Sequence, residues 1–329
     1  MNQLRRDYVA AILEARKQQT RLDATAAQDL EALLTRTTTQ ISSAIRQTQR
    51  GILAERYKRE LLSKLEAGLE AFRADYKEQL DAGIVGMARI AQARERTLLE
   101  AALSQRDRAA GVLPGIEVPL GQAARLGDLG VASTRFGEVP RIALERAYQR
   151  THSDGLMLSK RLYNLDIAAR KSLGDTLAQG IATGESARNL AKRVAPVLEA
   201  PGVDNVGYKA RRIARTEINT AFREGHIASV TTATGELQGW VTAIGWRLSP
   251  AHPKIDICDW WASDDSDGVG SGNYMPMNVP IGHPNCKCYT VTILAALPDQ
   301  QFTSRASQPD LVPESQLRYY GVLQTTDEN

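Results

Sequence analysis

Cysteine is scarce in this chain, with three residues in 329. An odd and small set excludes a framework of paired disulfides and leaves the thiols for packing or for metal. Proline is missing before Pro114, and up to Ala110 glycine occurs only at Gly51, Gly68, Gly83 and Gly86, so almost nothing there punctuates a helix. Aromatic residues make up 5% of the chain, and all four tryptophans fall between Trp240 and Trp261, which confines any aromatic core to that stretch. An excess of one charge is also lacking. With 41 Lys+Arg against 38 Asp+Glu the net charge is +3, too small for bulk attraction to nucleic acid or a membrane, although a local basic patch is compatible with it. No uninterrupted apolar run reaches the roughly 18 residues that span a bilayer, and Asp7 and Glu14 interrupt the first apolar stretch. The expectation is a chain without a secretory leader or a membrane partner, kept in a reducing cytosol.

Helix-forming residues dominate what is present. From Met1 to about Ala110 the chain is rich in Ala, Leu, Glu, Arg, Gln and Lys. Leu61, Leu65, Leu69, Phe72, Tyr76 and Leu80 recur at steps of three or four, while Lys64, Glu66, Glu70, Arg73 and Glu78 fall outside that stripe. The segment "TRTTTQISSAIRQTQ" is a weaker helix former, so several helices are expected, with breaks near Thr37 and Gly83. The stripe reads either as a bundle core within the chain or as an arm for self-association. Pro and Gly crowd the span from Gly111 to Pro140, which reads as an irregular linker. Helical pattern returns with Leu158, Leu162, Leu165 and Ala169 on one face. "TGES" at Thr183–Ser186 gives a turn and a cap, and Pro196, Pro201 and Gly202 close that part. A further helical run ends at Gly235, after which the period becomes two. Trp240, Thr242, Ile244, Trp246 and Leu248 then share one face of a strand. The expected organisation is a helical arm over 1–110, a linker over 111–150, a mixed module over 151–297 and a polar tail over 298–329. Within the module, helices occupy 151–235 and the strand and metal part 236–297, and the tail holds a short helix around Glu314–Leu323. The fold class is α+β.

The stretch "HPNCKCYTV", His283–Val291, holds two of the three cysteines. If a strand runs from Cys286 to Leu294, Cys286 and Cys288 share a face with Thr290 and Thr292, opposite Val291 and Ile293. That alternation argues against core thiols, because a buried cysteine keeps apolar company. Tetrahedral zinc takes Cys and His ligands, and His283 follows a turn three residues before Cys286. Cys258 is the remaining cysteine, in a region that also contains His252 and Asp256. These residues predict a closed zinc site of Cys258, His283, Cys286 and Cys288, with His252 as substitute for any member. The alternative is free thiols with His283 serving packing alone. The loop "DDSDGVGSGNYMP" lacks the closing acidic ligand of a calcium loop and the Gly-Lys-Ser/Thr of a phosphate loop, and reads as surface.

The order "RIARTEINTAFREGHIASV", a Trp-bearing strand, "DICDWW" and "PIGHPNCKCYTV" resembles the phage Mu F-like head morphogenesis family, the minor head proteins. The resemblance runs over about Leu156–Leu294. It implies a virion component of few copies at the portal vertex or capsid interior, acting in head assembly, DNA packaging or ejection, in contact with portal, capsid protein or packaged DNA. It also implies a small module related in fold to ADP-ribosyltransferases. The matching positions are Arg215, Thr216 and Glu217 on a helix, Trp246 on the strand, Asp256 and Cys258, and His283, Pro284, Cys286 and Cys288. Trp261 stands where the family commonly has a second cysteine, and Lys287 where it has arginine. For Arg215 and Glu217 the resemblance implies a buried polar brace between helix and sheet, set against a plain solvated face.

Two enzymatic readings compete. An active ADP-ribosyltransferase needs an acid pair and a Ser-Thr-Ser strand, and the sequence shows no Glu-x-Glu after Arg215 and no such strand. A metal-dependent nuclease needs a free histidine beside an open metal, and a ligating His283 leaves only His252 and Asp256. The expectation is a structural protein without a catalytic residue.

Overall fold

The computed structural model describes residues 2–47, 54–108, 137–151, 155–183, 185, 187–199, 206–233, 241–252, 254–294, 306–320 and 322–323. Eight α-helices and three strands occur among them: α1 Asn2–Gln47, α2 Ala54–Arg108, α3 Val139–Gln149, α4 Leu158–Ala182, α5 Ala187–Glu199, α6 Val206–Ala233, β1 Val241–Arg247, α7 Ile257–Trp261, β2 Asn273–Tyr274, β3 Tyr289–Leu294 and α8 Glu314–Tyr319. No helix among these residues is long and apolar enough to cross a membrane. The chain divides into two compact units, one of residues 1–22, 84–147 and 218–329, the other of 23–83 and 148–217. Helices α1, α2, α3 and α6 contribute residues to both.

The second of these units is helical. The stripe of Leu61, Leu65, Leu69, Phe72, Tyr76 and Leu80 on α2 is buried, as its spacing requires. Leu30, Leu33, Leu34, Ile41 and Ile45 of α1 are buried too. The expected breaks do not occur: α1 runs through Thr37 and α2 through Gly83. Packing outweighs weak propensity here. Thr37 and Thr38 are buried, and exposed Thr39 returns its hydroxyl to the Thr35 carbonyl at 2.8 Å. The glycines serve close approach. A Cβ at Gly68 would lie 2.8 Å from Ile41 Cγ1. On α4, Leu158, Leu165 and Ala169 are buried and Leu162 is half-buried, in line with the expected face. Helix α5 continues past Pro196, where the sequence predicted an ending. Gly184 and Ser186 of the proposed turn, like Pro201 and Gly202, lie outside the described residues.

The other unit holds the sheet, in which β1 lies between β2 and β3 and pairs antiparallel with both. Trp246 faces Thr290, and Gly245 faces Val291. Ile244, Trp246 and Leu248 point into one core cluster with Val230, Tyr274 and Val279, as the period of two anticipates, while Trp240 lies outside the described residues. The free edge of β3 is covered, which protects an open strand. Arg94 of α2 donates to the Thr290 carbonyl at 2.8 Å, and the Tyr8 hydroxyl of α1 donates to the Thr292 carbonyl. Most of the Pro/Gly-rich span is outside the described residues, but Pro140 sits in the first turn of α3, where its missing N–H is harmless.

Candidate metal centre

Cys258 stands on the short helix α7, and the other two thiols and the two imidazoles come from the loops around it. Asp256 caps that helix by accepting the Cys258 N–H at 2.8 Å, and Asp259 returns to the Asp256 N–H at 3.2 Å. This reciprocal cap fixes Cys258 on the first turn. From the other side, Asn285 has a φ of 62° and Gly282 one of 46°, a left-handed pair of positions that folds "GHPNCKC" into a tight turn rather than a strand. Strand β3 begins only at Tyr289. Cys286 and Cys288 therefore precede the strand, and the argument from alternation fails. Both thiols are buried in the same cluster as Trp246 and Tyr274, because a turn ahead of a strand frees side chains from its strict two-sided period.

Cys258 Sγ and Cys286 Sγ are 3.5 Å apart, and a nitrogen of His283 joins them in a group whose atoms all lie within 4.8 Å of one another. Cys288 Sγ is 3.7 Å from His252 Nδ1. A second group, of His252, Asp256 and His283, shares the same imidazole. Nδ1 of His283 donates to the Pro284 carbonyl at 2.8 Å, which leaves Nε2 as the nitrogen that takes a proton or a metal ion. That buried Nε2 lies 3.1 Å from Asp256 Oδ2 without the alignment of a hydrogen bond. His252 turns its Nε2 toward Asp256 and Asp259, 3.3 Å from each.

The acidities are strongly displaced. Burial pushes the Cys258 thiol well up, and its neighbours Cys286 and Cys288 add to that. Burial would also raise Cys286, but hydrogen bonds with Cys258, Cys288 and His283 and the charge of Arg223 outweigh it and bring the thiol well below its usual range. At Cys288 the bond to Cys258 lowers and that to Cys286, with burial, raises, leaving the thiol high. Burial disfavours the His283 cation, but Asp256 and Cys286 override it and push the imidazole up to about 10. The directions favour charge on Cys286 and on His283, so a metal ion at this place would compete with a proton for the imidazole.

Of the expected set, Cys258, Cys286 and His283 are grouped, while Cys288 falls outside that group and lies beside the substitute His252. The brace is different. Glu217 is fully buried, but its guanidinium is that of Arg150, 2.6 Å away, with Arg161 Nη1 at 3.9 Å. Arg215 is partly exposed and lies 3.8 Å from Asp23. Residues at i and i+2 of a helix point to different faces, so one buried brace does not take both. An arginine contact to a β3 carbonyl belongs instead to Arg94, at Thr290, and just ahead of the strand Arg223 Nη1 is 3.4 Å from the Cys288 carbonyl.

Sequence reasoning passed over Arg223 and His226. The signal was present, since Asn219, Arg223 and His226 recur at helical steps of four and three, and all are buried on α6. His226 sits between two strand hydroxyls, Nδ1 2.7 Å from Thr290 Oγ1 and Nε2 2.9 Å from Thr292 Oγ1. Thr292 donates onward to Glu95 at 2.6 Å, so Nε2 carries the proton toward Thr292 and Nδ1 accepts from Thr290. The Asp-rich loop is also more than surface. Asp265 accepts the Gly270 N–H, and Asp267 accepts the Met275 N–H and the Asn278 amide, each at 2.7 Å. These bonds occupy the carboxylates and place β2.

Residues 171–291 match the model of the family described as Phage Mu protein F like protein. Over those residues, somewhat more than a third of the chain, the protein is similar to that family, in the stretch where the ordered motifs pointed to it. No curated protein and no solved structure matches it.

Proposed function

We propose that this chain is a structural component of a phage head, placed at the portal or the capsid interior and acting in head assembly, DNA packaging or ejection. The observation that carries the reading is the Mu F-like match over 171–291, which spans α6 and the residues of the candidate metal centre. On this reading the relation to ADP-ribosyltransferases is one of scaffold, and the module works by docking. The test is to purify DNA-filled heads and the portal ring from infected cells and probe each for the chain. It is expected in both; absence from mature heads overturns the reading.

The module is held together by one zinc ion on Cys258, Cys286, Cys288 and His283 Nε2, with His252 as an outer partner of Cys288. Tetrahedral zinc with sulfur at about 2.3 Å needs S–S edges of about 3.8 Å, and the 3.5 Å between Cys258 and Cys286 and the buried Nε2 of His283 fit that shape. A closed set of this kind staples a loop-rich lobe and offers no open position for a substrate. Elemental analysis is expected to find about one zinc per chain. His283→Ala should weaken binding more than His252→Ala, and the reverse order would exchange their roles.

A further inference from the structure

Arg223 is buried, at 2% exposure, in the middle of α6. A guanidinium stays charged at any ordinary pH and is costly to bury unless an anion meets it. Among the described residues no carboxylate is within ion-pair distance of it. Its contacts are the Thr220 hydroxyl at 3.1 Å, the Cys288 carbonyl at 3.4 Å, Cys286 Sγ at 3.9 Å and the Trp246 ring, 5.3 Å away. Its Nε has no partner. Only one of these contacts can become an anion, and that is the sulfur. The backbone gives way to keep the guanidinium there: Gly282 has a φ of 46°, and a Cβ at that position would lie 2.4 Å from Arg223 Nη2.

We infer that Arg223 is the counter-charge of the thiolate centre, donating to ionised Cys286 and to the Cys288 carbonyl so that both ends of the Cys-x-Cys turn are held against α6. The inference rests on the zinc reading and adds its charge balance. Three thiolates and one neutral imidazole on a divalent ion leave one net negative charge, which one buried arginine neutralises, whereas two thiolates and two imidazoles would leave Arg223 uncompensated. Arg223 is a positioning residue, since it acts through the sulfurs and not on the metal.

The test uses the full chain loaded with zinc or cobalt, as wild type, Arg223→Met and Arg223→Lys. Zinc affinity is read by competition with a chromophoric chelator, and the sulfur-to-cobalt charge-transfer band by absorption. Arg223→Met is expected to lose 10–100-fold in affinity, the usual effect of removing an outer-shell partner, and to move the charge-transfer band, which a purely structural role would leave in place. Arg223→Lys keeps the charge and carries the test if Arg223→Met does not fold; its band should stay near wild type while affinity falls. Wild-type affinity and an unmoved band in a folded Met variant, or wild-type affinity in the Lys variant, overturn the inference. Failure of wild type to bind either ion is a different result, and it sinks the zinc reading and the charge balance built on it.

Discussion

Glu217 has no exposed surface, and its carboxylate is neutralised by Arg150 at 2.6 Å. Removing one partner of a buried pair leaves the other charge stranded, at about 3–5 kcal/mol. Arg150→Ala should therefore lower the urea midpoint sharply, while Arg215→Ala, at a partly exposed position, should change stability by about 0.5 kcal/mol or less. Equal losses would restore the brace to Arg215. His226 supplies the second prediction at this scale. Burial, helped by the Arg94 charge, holds its pKa well below 6.5, so the folded chain keeps it neutral while the unfolded chain takes up a proton as the pH drops. Stability is therefore fully present above about 6.5 and is lost below it, at up to about 1.4 kcal/mol per pH unit. Unfolding from pH 7.5 to 5.5 should show a steeper decline for wild type than for His226→Gln, and parallel curves would mean that the histidine is charged in the fold.

Between elements, α6 and α2 approach each other backbone to backbone at Gly225. A Cβ at Gly225 would stand 2.9 Å from the Ala88 Cα and 3.1 Å from its carbonyl oxygen. Backbone cannot swing aside as a side chain does, so Gly225→Ala should destabilise by about 1–3 kcal/mol. Gly174 on α4 has nothing within 4 Å, and Gly174→Ala should instead stabilise by up to about 1 kcal/mol through helix propensity; melting temperatures of the two variants should move in opposite directions. The same contrast explains what was legible here. The apolar stripe of α2 and the alternating face of β1 follow from a local period and could be read directly. Continuity through Thr37 and Gly83 could not, because it depends on which neighbour covers each turn. Nor could the start of β3, which is displaced by the left-handed turn at Gly282 and Asn285 and by what that turn packs against.

At the level of the whole molecule, each unit is assembled from segments far apart in sequence. The polar tail is an example, since Gln308 donates its N–H to Asp259 at 3.0 Å and Gln316 accepts the Ile257 N–H at 3.0 Å, while Tyr320 stacks edge-on with Trp261. Nothing in its own pattern pointed to α7. By itself the sequence determined the helical character, the strand at Trp246, the identity of four metal-ligand candidates and the ordered motifs of the Mu F-like family, because these depend on residue type and on spacing along one chain. The tertiary structure decided that Arg150 rather than Arg215 meets Glu217, that the thiols are buried before the strand begins, and that Arg223 comes to face them. Those are choices of partner across long stretches of chain, and burial sets them: a charge or thiol withdrawn from water is held by whichever distant group the fold delivers to it.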